Sequence, residues 1–243
     1  MHRFFVEPDS LSNDCIIIEG SDFFHMKNVL RLNKGDEVSV CDKCGFDYLC
    51  KITDFSQNAA HLEILQKEKT STEPPISVTL YQGVTKGDKL DMVVQKCVEL
   101  GCVKFVPVSM KRSVKVIKDA SKTKNRMEKI VYEACKQSSR GIIPKVMEVL
   151  TFKEAIDDAK ENELKLLPYE SERDLSIKEV LKKSKDIKNV CIFIGPEGGF
   201  SDEEITLAKD NGFEIVSMGP RILRTETAPI SAITAVMYEL GDW

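Results

Sequence analysis

The sequence predicts an α/β protein in which a small β-rich part precedes a mostly parallel sheet with helices on both faces. Three observations carry this reading. The residue pattern changes at "KEKTSTEPPIS" (67–77), where a polar stretch ends in a double proline. After that break, apolar strand-like runs alternate with amphipathic helical ones. Three later helix starts carry capping-box spacing, Thr151 with Glu154, Ser176 with Glu179 and Ser201 with Glu204.

In chain order, short runs rich in β-branched and aromatic residues come first. They are "FFV" (4–6), "CIIIE" (15–19), "EVSVCD" (37–42), "FDYLCKITDF" (46–55) and "HLEIL" (61–65), interrupted by one helix-like piece, "DFFHMKNVLRL". They predict a small β-barrel or sheet over residues 1–70. A second domain is expected over 75–243. Its first strand is "SVTLYQ" (77–82), and "KLDMVVQKCVELG" then sets Leu90, Val93, Val94, Cys97 and Leu100 on one helical face ending at Gly101. The strand "VKFVPVS" follows. "NRMEKIVYEACKQ" repeats the helical spacing, and strands "LKLLPY", "VCIFIG" and "EIVSMG" lie between the capped helices.

With 243 residues, 42% hydrophobic and 30% charged, the composition is that of a soluble globular protein long enough for two unequal domains. The start "MHRFFVEP" lacks the features of a secretory signal and no apolar run approaches a membrane span, so a cytoplasmic protein is expected. The eight cysteines are scattered, which favours free thiols. "CDKC" at 41–44 is the one pair with metal spacing and has no second pair to complete a four-ligand site, so no metal is expected. The net charge is −4, but "KRSVKVIKDASKTKNR" (111–126) holds seven Lys or Arg and one Asp. It reads either as a solvated loop and helix start or as a phosphate-binding patch.

In an open parallel sheet a ligand lies at the carboxyl ends of the strands. The expected sites are therefore the turns at Leu167–Tyr169, Gly195–Phe200 and Met218–Arg224. "GPEGGF" offers backbone that can approach a ligand but lacks both dinucleotide-loop spacing and the Lys-Ser/Thr of a P-loop, which disfavours a nucleotide phosphate. A plain strand-to-helix turn would also put Glu197 near a helix amino terminus, where the dipole favours it. The turn "MGPRILRTETAPISAI" (218–233) carries two arginines, a glutamate and two threonines, more polar functionality than a connection requires.

"IGPEGGFSDEE" followed by "MGPRILRTETA" resembles the paired signature of the small-subunit ribosomal RNA uridine-N3 methyltransferases, the RsmE family of the SPOUT superfamily. "HRFFV", "HMKNVLRL", "KGDKLDMVVQKCVELG", "KRS" and "YEACKQSSR" also resemble family segments in family order. The resemblance implies a PUA-like β-barrel that binds RNA, then a SPOUT methyltransferase domain whose carboxyl-terminal chain threads a deep trefoil knot. It implies a homodimer, S-adenosylmethionine (SAM) as cofactor, and N3-methylation of a specific uridine in 16S rRNA of the small ribosomal subunit. Pattern alone implies no knot.

Carried over by residue, the cofactor site falls on Leu167, Pro168, Gly195, Pro196, Glu197, Gly198, Gly199, Met218, Gly219, Ile222, Leu223, Arg224, Thr227 and Ala228. Met218 stands where leucine is common in the family, a swap of similar apolar volume. Transfer to N3 requires loss of its proton or stabilisation of the anion spread over O2, N3 and O4. Arg224 and Arg112 are the expected stabilisers, Arg112 by reaching across a dimer interface, and Glu226 is the carboxylate placed for a general base. Contacts to RNA are expected from Arg3, His25, Arg31, Lys34, Lys86, Lys89, Arg112, Lys115 and Arg140. Two alternatives stay open: a SPOUT enzyme acting on a different RNA, and a catalytically silent RNA-binding assembly factor.

Overall fold

The computed structural model describes residues 1–12, 14–114 and 119–243. The chain forms two compact units, one of Met1–Glu73 with Cys135–Ile143, the other of Pro74–Ala134 with Pro144–Trp243.

The first unit is built on strands β1 (Arg3–Phe5), β2 (Cys15–Glu19), β3 (Glu37–Cys41), β4 (Phe46–Phe55) and β5 (Ala59–Lys69), with helix α1 (Gly20–Phe24) continuing as one π-turn over His25–Val29. The sheet order is β1-β3-β4-β5-β2, antiparallel except for β1 on β3. Alternate residues point inward, so Ile16 and Ile18, Val38 and Val40, and Cys50 and Ile52 close on Phe4 and Met26 as one core. Among the described residues the pairing path stays open between β1 and β2, where the sequence predicts a barrel or sheet. The reason is local: Ile16 of β2 bridges Leu11, and Ser12 donates its amide to the Cys15 carbonyl, so the chain's own turn covers that edge.

The returning segment is fixed to this unit by a buried ion pair. Arg140, 2% exposed, donates through Nε (2.9 Å) and Nη2 (2.8 Å) to the two carboxylate oxygens of Glu73, and Glu73 Oε1 also accepts from the Gly141 and Ile142 amides. The thiol of Cys41 lies 3.3 Å from the Gly141 carbonyl, and burial pushes its pKa up to about 11. All eight cysteines are free.

The second unit is a parallel seven-stranded sheet with helices between its strands. Its strands are β6 (Ser77–Gly83), β7 (Cys102–Ser109), β8 (Lys145–Val146), β9 (Leu150–Thr151), β10 (Leu164–Pro168), β11 (Asn189–Ile194) and β12 (Glu214–Val216). The helices are α2 (Lys89–Glu99), α3 (Ala120–Gln137), α4 (Phe152–Asp158), α5 (Ile177–Lys183), α6 (Asp202–Asp210) and α7 (Thr227–Leu240). Strand order is β12-β10-β11-β6-β7-β8, with β9 also on β7. On one face Tyr81 stacks on Phe193 at 4.3 Å, and Phe152 of α4 and Phe213 meet Phe193 edge-on. Each such aromatic contributes about 1.5–3 kcal/mol through burial. α7 packs against β6, β11, α2 and α5. All three predicted capping boxes form, with Thr151, Ser176 and Ser201 each accepting from the amide three residues on and the partner glutamate reaching back.

A candidate cleft at the strand ends

Three turns meet where β10, β11 and β12 end. The central order β12-β10-β11-β6 makes these strand ends neighbours although their turns lie far apart in sequence. Together they enclose a cavity of about 430 Å³, within the size range of small-molecule sites. The β10 turn supplies Pro168, Tyr169, Glu170 and Arg173. The β11 turn supplies Ile194, Gly195, Pro196, Glu197, Gly199 and Phe200. The β12 turn supplies Met218, Gly219, Arg221, Ile222, Leu223, Arg224, Thr225, Glu226 and Ala228, and Lys89 enters from the start of α2.

A buried polar chain holds two of these turns together. Gln82, fully buried in β6, donates from Nε2 to Thr225 Oγ1 (3.1 Å), and the Thr225 hydroxyl donates to the Gly195 carbonyl (2.7 Å). The β12 turn is thus tied to β6 and to the first glycine of "GPEGGF". Within that loop Gly199 sits at φ +66°, and a Cβ there would meet Glu170 Oε1 at 2.7 Å. Gly198 serves a different neighbour: its Cβ would meet the Arg112 carbonyl oxygen at 2.8 Å, and it does not line the cavity. Its missing side chain admits the protein's own backbone, where a role in the cofactor site was expected from the sequence.

Charge is concentrated at one corner. Glu197 Oε1 accepts from the Lys86 amide (3.1 Å) and the Lys89 ammonium (3.3 Å), and Lys89 Nζ lies 3.6 Å from Glu226 Oε2. Burial alone would push the Glu197 carboxyl up, but backbone amides, Lys86 among them, and the Lys89 charge together hold it below the usual carboxylate range. Glu226 Oε2 is buried without a hydrogen-bond donor. Arg221 and Arg224, both exposed, line the cavity, and neither side chain has an ion-pair partner among the described residues.

Of the residues expected at the cofactor site, Pro168, Gly195, Pro196, Glu197 and Gly199 line this cavity. So do Met218, Gly219, Ile222, Leu223, Arg224 and Ala228. Leu167 is fully buried in the core on the Phe193 face, and neither it nor Thr227 reaches the cavity wall. Arg112 stands outside the cavity on the "GPEGGF" loop of its own chain, its Nη1 3.4 Å from the Gly198 carbonyl. Lys111 beside it is docked on α6: its amide donates to Glu204, and its ammonium pairs with Glu203 at 2.9 Å. That ammonium and nearby backbone and serine donors pull the Glu203 carboxyl down to about 2.

The residues expected to contact RNA divide in the same way. His25, Arg31, Lys34 and Lys86 are exposed. Arg3 is turned inward on Asp47 (2.7 Å) and Arg140 on Glu73, so both guanidinium groups serve the first unit's own packing. Lys89 belongs to the cavity, and Lys115 lies outside the described residues. Tyr169 and Phe200 end two of the turns marked from sequence, whereas sequence reasoning missed Glu170, Arg173, Thr225 and Gln82. The strand end at Leu167–Tyr169 was a signal for Glu170 and Arg173, but nothing local to Gln82 pairs it with a residue 143 positions away.

Residues 72–237 match the model of an RNA methyltransferase domain, and residues 18–65 match that of an RNA methyltransferase PUA domain. The chain is 32% identical to Ribosomal RNA small subunit methyltransferase E of Bacillus subtilis (strain 168), over 98% of this chain and 97% of that protein. It is 32% identical to the protein of the same name from Aquifex aeolicus, covering 98% and 99%. The solved Neisseria gonorrhoeae Ribosomal RNA small subunit methyltransferase E, bound to S-adenosyl methionine, superposes with a TM-score of 0.89 at 33% identity, covering 100% and 99%. A Legionella pneumophila chain solved in complex with SAM gives 0.86 at 28%, covering 99% and 98%. Alike over its whole length to these proteins, the chain belongs to the ribosomal RNA small subunit methyltransferase E family.

Proposed function

We propose that this chain transfers the methyl group of SAM to N3 of a uridine in 16S rRNA of the small ribosomal subunit, in the cytoplasm. The observation that carries the reading is the cleft: an apolar floor, exposed glycine backbone, three carboxylates and three arginines without an ion-pair partner among the described residues. Ile194, Met218 and Leu223 suit an adenine ring, and Gly195 and Gly219 let backbone groups approach it. The carboxylates of Glu170, Glu197 and Glu226, with a buried Glu226 oxygen lacking a donor, suit a cationic ligand better than a polyphosphate. The residues present therefore fit SAM, which when bound supplies an electrophilic methyl carrying its own leaving group.

The protein's part is alignment, exclusion of water and control of one proton. The cavity walls hold the reacting groups in line, which can supply much of the rate enhancement. Arg224, exposed and without an ion-pair partner among the described residues, stabilises negative charge as it spreads over the uracil oxygens. Glu226 receives the N3 proton. The exposed His25, Arg31 and Lys34 of the first unit, with Lys86 of the second, contact RNA phosphates. We also propose that the chain after β11 forms a trefoil knot and that two copies assemble. The tie from Thr225 to both Gln82 and Gly195 supports the first, and the exposed Met92, Tyr238 and Trp243 support the second.

The test is methyl transfer from labelled SAM to small subunits lacking the modification, followed by nucleoside mass spectrometry, with Arg224→Ala alongside. N3-methyluridine from the wild type, reduced about 100-fold or more in the variant, is expected for loss of a charge-stabilising group. Transfer to a different nucleoside or a different RNA would overturn the substrate. A wild type that binds SAM but does not methylate small subunits would point to a different RNA substrate, and failure to bind SAM would favour a silent assembly factor.

A further inference from the structure

We infer that Glu170 selects for a ribose in the cleft: its carboxylate accepts hydrogen bonds from the 2′- and 3′-hydroxyls of the cofactor's adenosine. This rests on SAM as the occupant of the cleft and deepens that reading by assigning one wall of it. Glu170 falls outside the residues expected at the cofactor site, yet it lines the cavity.

Three observations single it out among the acids there. The first is its freedom. Of the three carboxylates on the cavity wall, Glu197 accepts from the Lys86 amide and the Lys89 ammonium, and Glu226 lies at ion-pair distance from the same ammonium. Glu170 is exposed and has no hydrogen-bond or ion-pair partner among the described residues, so both its oxygens are left for a ligand.

The second is its seat. A Cβ on Gly199 would stand 2.7 Å from Glu170 Oε1 and 3.6 Å from Oε2. The missing side chain of Gly199 therefore admits the Glu170 carboxylate against the backbone of "GPEGGF", where the turns after β10 and β11 meet.

The third is the anchorage of its turn. On one side of Glu170, the Tyr169 amide donates to the Val216 carbonyl of β12 at 3.0 Å, and the half-buried Tyr169 packs on the core of the Phe193 face. On the other side, the Glu172 amide donates to the Tyr169 carbonyl at 3.2 Å. Glu172 Oε1 in turn accepts from the amides of Arg173, Asp174 and Leu175 at 2.9, 2.7 and 3.2 Å. Those amides hold the Glu172 carboxyl below the usual carboxylate range. Of the two glutamates in "YESER", Glu172 ties the turn together and Glu170 is presented to the cavity.

Chemistry then chooses which part of SAM meets it. Carboxylate oxygens accept and do not donate, so Glu170 needs donors. SAM offers an adenine amino group, the ribose hydroxyls and the ammonium of its methionine part. The two ribose hydroxyls stand side by side and match a carboxylate with both oxygens free, and such O–H···O⁻ bonds are short and strong. An acidic residue serves the same purpose at the ribose of dinucleotides in other parallel-sheet sites. The charges nearby agree. Arg173 lines the cavity from the same turn as Glu170, which disfavours a cation on that wall. At the start of α2 two carboxylates share one ammonium, so the cationic end of SAM is better placed there.

The experiment measures calorimetric affinities of the full chain, Glu170→Ala and Glu170→Gln for SAM, S-adenosylhomocysteine, 2′-deoxy-S-adenosylhomocysteine and 5′-methylthioadenosine. The last keeps the ribose and lacks the ammonium. In the wild type, loss of the 2′-hydroxyl should weaken binding about 10-fold or more, as for a hydrogen bond to a charged acceptor. That ratio should collapse toward one in Glu170→Ala and survive in part in Glu170→Gln, which keeps the size and one acceptor. The ligands with an intact ribose should weaken in parallel. An unchanged ratio in Glu170→Ala would overturn the inference. So would a loss confined to SAM, which would give Glu170 to the sulfonium, or one that spares only 5′-methylthioadenosine, which would give it to the ammonium. A wild type that binds none of the four would sink the cofactor reading itself, whereas binding that ignores the 2′-hydroxyl would sink the inference alone.

Discussion

Thr225→Val probes the polar chain that joins the cleft's turns. Valine matches threonine in volume, so the substitution leaves no cavity and removes one hydroxyl. Two hydrogen bonds go with it, the donation to the Gly195 carbonyl at 2.7 Å and the acceptance from Gln82 Nε2 at 3.1 Å. Each contributes roughly 1 kcal/mol net, and a buried group left without a partner adds about 1–3 kcal/mol. Gln82 is fully buried and its Oε1 already lacks a donor, although Nε2 keeps a bond to the Gly83 carbonyl at 3.2 Å. The expected destabilisation is therefore about 2–3 kcal/mol, read as a shift in urea midpoint at constant m-value. Because Thr225 lies between Arg224 and Glu226, calorimetric affinity for S-adenosylhomocysteine should fall as well. The cycle completed by Gln82→Leu should show non-additivity of about 0.5–3 kcal/mol, as expected for contacting residues. A change below about 0.5 kcal/mol with unaltered binding would refute the claim that this chain fixes the turns.

Two further outcomes follow from the same geometry. Gly199→Ala should destabilise by about 1–2 kcal/mol through its left-handed backbone. The added Glu170→Ala should recover little of that in denaturant melts, because the exposed end of Glu170 can move aside whereas φ +66° cannot. Asp158 accepts from Tyr81 Oη at 2.5 Å and from Lys104 Nζ at 2.8 Å. Burial pushes its carboxyl up, yet these two donors outweigh burial and leave it below its ordinary value. A lowered folded-state pKa means stability that is present above the unfolded value, about 3.9, and lost as pH falls through the folded one. The stability difference between wild type and Asp158→Asn should be flat from pH 7 to about 5 and shrink below about 4.

The sequence by itself determined the class of the fold and most of its elements, though not the two-residue strands β8 and β9. Strand alternation, helical spacing and the Ser/Thr-x-x-Glu boxes act over two to four residues, and the boxes at Thr151, Ser176 and Ser201 form as the local pattern requires. The turns that build the cleft were legible too, because a parallel sheet places its ligand at strand ends. Only the tertiary structure decided which side chains meet there. Gln82 reaches Thr225 because β6 and β11 are neighbours, and Lys89 reaches Glu226 because α2 begins shortly after β6. The same holds for residues that the sequence sent elsewhere. Arg140 looks like a surface cation until Glu73 buries it, and Gly198 looks like ligand-facing backbone until Arg112 occupies the space. Local structure follows from each residue's near neighbours, whereas the role of a charge depends on which distant partner the strand order brings within a few ångströms.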